Sequence, residues 1–250
     1  MQPGTLVLLA AFCAVACWAQ STEAPVPLTQ EPSHHLALEN EYTSVFQVEA
    51  AAHASTRLHE HDRDYVFVSI GAAEITSAVQ GQSPAEMSLA DGDTRFVKGA
   101  FAHVVINRGA APFRNVTVEI KKKSTKEICG FAGNPCPASM AVTGGTISIG
   151  PAGMASADVK FTKETVLETD AVRASRLRLE PGGETPEHED ELPRLLVAVS
   201  DLDLTNTPRG EQAMPVKNKA GDIVWLPPEG PHTVSNNGDR PAQFVILEFK

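Results

Sequence analysis

Three histidines pose the chemical question in this chain. His59 and His61 flank Glu60, and His103 stands on a later β-branched run beside Val104, Val105, Ile106 and Asn107. Side chains alternate faces along an extended strand, so residues two apart point the same way. His59 and His61 therefore present two imidazoles to one side, the beginning of a metal site, and His103 can supply a third. Three imidazole nitrogens and a carboxylate oxygen make a mixed set suited to one divalent ion of Mn, Fe, Zn, Ni or Cu. A single histidine is more often a surface or hydrogen-bonded residue than a ligand. Three at this spacing point instead to a metal. His34, His35 and His53 fit no such pattern and are expected to be exposed.

The elements that must position these side chains are legible in an internal repeat. Sliding the sequence against itself by 129 positions (188 − 59) aligns matching residues with no insertion. His59-Glu60 falls on His188-Glu189, Thr56 on Thr185, Gly92-Asp93 on Gly221-Asp222, and His103 on His232. Val105, Asn107, Gly109 and Pro112 meet Val234, Asn236, Gly238 and Pro241. Chance identities would scatter among offsets, whereas these share one. Within each copy, short β-branched or aromatic runs at 65–70, 94–97, 104–106 and 115–120, echoed at 195–199, 222–226 and 243–247, are punctuated by Gly, Pro and Asp. That pattern predicts strands throughout, hence an all-β sandwich or barrel in two copies. Residues 84–89 are the one stretch whose spacing could be helical.

The two chemistry-bearing segments resemble the two sequence motifs of the cupin superfamily. The first motif is a His-x-His pair, an acid and a downstream Gly, matched here by His59, His61 and Gly71. Counting back from Gly71 puts Asp64 at the acid position, with Asp for the usual Glu and a turn one residue short; Asp62 is its rival. In the second motif Gly92, His103 and Asn107 keep the full spacing, with Lys98 and Ala100 in place of its Pro and Gly. The later copy keeps Gly221, Pro227, His232 and Asn236, and Glu229 replaces a Gly. The resemblance implies two tandem cupin-type, jelly-roll-like β-barrels related by the 129-residue duplication, with a metal held in the first by His59, His61, Asp64 and His103. In the second, Asp190 stands where the second His would be and Pro193 occupies the acid position. His188, Asp190 and His232 are weaker metal candidates there, and a structural role for that copy is the preferred reading.

Composition bounds the rest. Net charge of −10 over 250 residues argues against a nucleic-acid partner. Residues 1–19 carry no charged side chain and read as a signal peptide, with an apolar stretch too short to span a bilayer comfortably. A lipoprotein site at Cys17 is the lesser alternative. The mature chain is therefore expected to be secreted or periplasmic and off the membrane. Cys129 and Cys136 remain after the leader, and in an oxidising compartment they most simply form one disulfide. The expected organisation is a disordered Pro-rich tail over 20–36, a first barrel over 37–121, a connector with the disulfide over 122–158, and a second barrel over 159–250. Two functions of different class follow from the resemblance. One is a metal-dependent enzyme of oxygenase or oxalate type on a small oxygen-rich molecule. The other is a non-catalytic module for a metal or small ligand. Association into homo-oligomers is a further expectation.

Overall fold

The computed structural model describes residues 24–136, 142–149 and 155–250; the expected leader over 1–19 lies outside them. The N-terminal half contains β1 (Val26–Pro27), a single 3-10 turn (Leu28–Gln30), β2 (His34–Glu39), β3 (Thr43–Ala50), β4 (His59–His61) and β5 (Tyr65–Ile70). It continues with β6 (Ala73–Val79), β7 (Ala85–Leu89), β8 (Thr94–Val97), β9 (Phe101–Asn107) and β10 (Phe113–Ile120). These form two five-stranded sheets, ordered β1-β4-β9-β6-β7 and β2-β3-β10-β5-β8.

The C-terminal half contains β11 (Glu127–Cys129), β12 (Val142–Ile149), β13 (Ala155–Thr169), β14 (Val172–Leu179), β15 (His188–Asp190) and β16 (Arg194–Ala198). It ends with β17 (Leu202–Pro208), β18 (Met214–Asn218), β19 (Ile223–Leu226), β20 (Glu229–Asn236) and β21 (Ala242–Phe249). One sheet runs β11-β13-β14-β21-β16-β19 with β12 added on β13, and the other runs β15-β20-β17-β18. Each half is a jelly-roll-like barrel.

Strand alternation explains the layers. On β5, Val66, Val68 and Ile70 point one way and Tyr65 and Phe67 the other; on β10, Val116, Val118 and Ile120 oppose Phe113, Asn115 and Thr117. The first set packs against Leu167, Val172, Leu195, Val197 and Leu247 of the C-terminal half in one continuous core. The second set faces the interior of the N-terminal barrel. Both faces of this sheet are thus buried, one against the other barrel and one around a cavity.

The pairings of the two halves also keep step. His59 pairs with His103 and Tyr65 with Val97; 129 residues on, His188 pairs with His232 and Arg194 with Leu226. Gly92 and Gly221, at matched positions, both adopt positive φ (75° and 94°), a conformation that favours glycine. A Cβ at Gly221 would lie 2.8 Å from the Arg114 guanidinium of the other barrel.

Three expectations are corrected. Residues 84–89 contain strand β7, because Ala85–Leu89 pairs along β6. The 20–36 segment is ordered from residue 24. Val26 pairs with His59, and Leu28 is buried with Phe46 and Val48, so tertiary contacts hold a stretch whose Pro content suggested disorder. The 122–158 connector contributes structure too, since β11 and β12 both add to β13. Its Cys129–Cys136 disulfide is formed.

Candidate metal centre

The imidazoles converge because β4 and β9 are neighbours. Register places His59 directly opposite His103, while His61 sits opposite Phe101. Ring centroids are 4.6 Å apart for His59 and His103, 5.2 Å for His61 and His103, and 5.2 Å for His59 and His61. All three are buried, His59 completely.

The surroundings set which nitrogen each ring offers. The His59 Nδ1–H donates to the Arg57 carbonyl at 2.9 Å, which leaves the Nε2 lone pair free. His103 Nδ1 is hydrogen-bonded to the Ser77 hydroxyl at 3.0 Å. His61 packs against Tyr65, stacked at 4.2 Å, and Phe101 at 5.7 Å, and its Nδ1 lies 3.9 Å from Glu119. His59 Nε2, His61 Nδ1 and His103 Nε2 are buried without a hydrogen-bond partner. A buried polar atom with no partner costs about 1–3 kcal/mol, so a donor set of this kind is matched to a cation.

Burial keeps the rings neutral. It pulls His59 down to about 4, only partly offset by the bond to the Arg57 carbonyl. Burial and then the neighbouring imidazoles lower His103 to about 3 and His61 to about 2. Neutral imidazole is the form that ligates a metal. Burial likewise raises the Tyr65 hydroxyl and the Glu119 carboxyl above their ordinary values.

Asp64 is turned elsewhere. Tyr65 points inward, so its neighbour Asp64 cannot share that face. Its Oδ1 accepts the Gly99 N–H at 3.0 Å and its Oδ2 lies 3.5 Å from Lys98, which braces the turn before β9. Asp62 is exposed. Asn107 is structural as well: its amide donates to the Ala50, Ala51 and Ala111 carbonyls.

His34 overturns the expectation of exposure, while His35 and His53 are exposed as expected. His34 is buried, its ring is 4.7 Å from His59, and one nitrogen from each of His34, His59 and His61 lies within 4.8 Å of the others. Its Nδ1 lies 2.7 Å from Glu31, a carboxylate only 2 % exposed. Burial alone would raise Glu31, but His34 and the backbone N–H groups of Arg57 and Ser33 hold it down at about 2. No motif marked either residue. The available signal was the pair itself, an acid three positions before a histidine.

The four rings lie in a cavity of about 280 Å³ whose other walls are mainly Phe67, Met87, Phe96, Phe101, Val105 and Phe113. Arg95 is the one cationic side chain lining it, and no carboxylate does so among the described residues.

The second barrel arranges matched positions differently. His188 and His232 are paired at 4.3 Å, and both Nε2 atoms face Asp190 Oδ2, at 3.7 and 3.4 Å. Arg194, buried, forms an ion pair with that same oxygen and lies 3.7 Å from Glu229. The cavity is about 90 Å³.

No family model and no curated protein matches the sequence. The fold does match solved structures. AerE from Microcystis aeruginosa superposes with a TM-score of 0.56 at 10% identity, over 88% of this chain and 98% of that one. A mutant of Bacillus subtilis oxalate decarboxylase gives 0.54 at 15% identity, over 87% and 75%. Salicylate 1,2-dioxygenase from Pseudoaminobacter salicylatoxidans, in complex with gentisate, gives 0.53 at 12% identity, over 83% and 69%. The chain therefore has a two-barrel, cupin-type fold.

Proposed function

We propose that the N-terminal barrel holds one divalent metal ion on His59, His61 and His103, and that the chain is a metal-dependent enzyme acting on a small, largely apolar molecule that carries an oxygen donor. The observation that carries this reading is the set of three buried imidazoles whose free nitrogens open into one apolar cavity. A divalent ion there would bind and polarise an oxygen of the substrate and stabilise negative charge developing on it. The chain's own contributions follow from the geometry. The Arg57 carbonyl fixes the His59 tautomer, Ser77 positions His103, and Tyr65 and Phe101 hold the His61 ring. The phenylalanine walls exclude water and accept an apolar body, and Arg95 offers a positive charge to an acidic group on it.

Oxygenase chemistry fits this lining better than oxalate chemistry. Oxalate is small and entirely polar, and the lining has no carboxyl group to exchange protons with it. The same lack of a carboxyl group favours the second reading, a non-catalytic module that binds a metal or small ligand. The uncharged, apolar character of residues 1–19 and the disulfide support an exported protein, secreted or periplasmic. The shared offset supports duplication of one barrel. Oxygen uptake and oxalate consumption by the metal-loaded mature protein test the enzyme reading, with His103→Ala as control. Uptake that requires an apolar oxygenated substrate and vanishes in the variant is expected. Turnover that survives His103→Ala removes the site as its cause, and ligand binding without turnover selects the second reading.

A further inference from the structure

We infer that His34 is a fourth ligand of the metal, oriented by Glu31, so that the N-terminal strap over residues 24–39 is part of the centre. This rests on the proposed ion at His59, His61 and His103.

The strap is built into the barrel. β1 lies parallel to β4 with Val26 opposite His59, Leu28 packs beneath it on Phe46 and Val48, and β2 pairs antiparallel with β3. This segment carries two buried polar side chains, Glu31 and His34, and His34 lines the cavity. Such groups are kept inside only when they are satisfied. Glu31 accepts the Ser33 N–H at 2.7 Å, the Arg57 N–H at 3.0 Å and the His34 Nδ1–H at 2.7 Å. His34 has then spent Nδ1, which leaves Nε2 as the nitrogen with a lone pair for an ion.

The Arg57 peptide joins the two ends of this network. Its carbonyl receives His59 Nδ1 and its N–H is received by Glu31, which receives His34 Nδ1. Two imidazoles are therefore oriented by one run of hydrogen bonds. A carboxylate behind a histidine fixes the ring and makes it a stronger metal ligand. The His34, His59 and His61 nitrogens lie within 4.8 Å of one another. Imidazole ligands at about 2.0–2.1 Å from an ion stand about 3–4 Å apart, inside the 4.8 Å that bounds these nitrogens. The matched position of the second barrel holds Lys163, whose ammonium cannot ligate a metal.

The test uses the whole mature chain stripped of metal, with Zn(II) binding followed by calorimetry and Co(II) by its visible spectrum. Wild type is compared with His34→Ala, Glu31→Gln, His59→Ala and His103→Ala. We expect one ion per wild-type chain. His34→Ala should weaken binding at least 100-fold and alter the Co(II) spectrum, and Glu31→Gln should weaken it about 10–100-fold. His59→Ala and His103→Ala should lose the ion. Wild-type affinity and spectrum in His34→Ala, with the ion lost from His59→Ala, would overturn the role of His34 and leave the three-histidine site standing. Absence of any ion from the wild-type chain would overturn both. Should His34→Ala fail to fold, His34→Gln keeps a donor for Glu31 while withdrawing the imidazole, and the same outcomes decide.

Discussion

The two barrels share a frame and differ in what fills it. Thr56 receives the Val105 N–H and Thr185 the Val234 N–H, both at 2.9 Å, and Asn107 and Asn236 bind the carbonyls of matched turns. Inside, Tyr65 of the first barrel is matched by Arg194 of the second, His61 by Asp190, and His34 by Lys163. The first interior collects neutral imidazoles whose lone pairs need a cation. The second carries its own cations, and the Arg194 guanidinium neutralises Asp190 where an ion would otherwise sit. Turn and ladder contacts preserve a barrel whatever lies within, so a few inward positions can exchange a metal site for an ion pair.

Metal stoichiometry separates the two interiors most strongly. His103→Ala is expected to take the chain from one bound ion to none, whereas His232→Ala leaves it at one, as read by elemental analysis. Two ions in the wild-type chain would show that the second barrel also loads.

Next in size is Arg194→Met. It strands Asp190 without its charge partner, and breaking a buried pair in this way costs about 3–5 kcal/mol. Denaturant unfolding of the metal-free protein should register that loss, and elemental analysis of the Zn(II)-loaded variant should find a second ion, held by His188, Asp190 and His232. Full stability in the variant would refute Arg194 as the built-in cation.

Acid should weigh most on the first interior, although burial lowers His188 in the second as well. Imidazoles of the unfolded chain titrate near 6.5, whereas His59, His103 and His61 fold at about 4, 3 and 2. Between these limits the unfolded chain binds more protons, so stability rises with pH and falls as pH drops below about 6.5. Melting of the metal-free protein at pH 7 and pH 5 should show the decline. Replacing His59 with Phe should lessen it by about a third, because His61 and His103 remain.

The smallest effects should be alike in the two halves. Thr56→Val and Thr185→Val each leave one backbone N–H without its acceptor and should each cost about 1–3 kcal/mol. A large inequality in their unfolding midpoints would mean that the frames are less equivalent than their registers imply.

Much of this was written locally. The His59/His61 spacing, the strands of alternating pattern, the turn glycines and the Cys129–Cys136 pair depend on near neighbours, and so does the 129-residue offset. Period-two alternation also sends both β4 histidines to one face without knowledge of the fold. Asp64 shows where such reading stops. A count along the chain placed it at the acid position, but the face is decided by the pairing of β5, which turns Tyr65 inward and leaves Asp64 to the Gly99 turn.

What tertiary structure alone decided lies between segments distant in sequence. His34 reaches the cavity because an N-terminal strand docks beside β4 and a buried carboxylate fixes its ring. Arg194 enters the second interior because its strand presents that face inward. Neither contact has a sequence period to announce it, since both arise from closing a barrel around side chains whose charges must be matched once water is excluded.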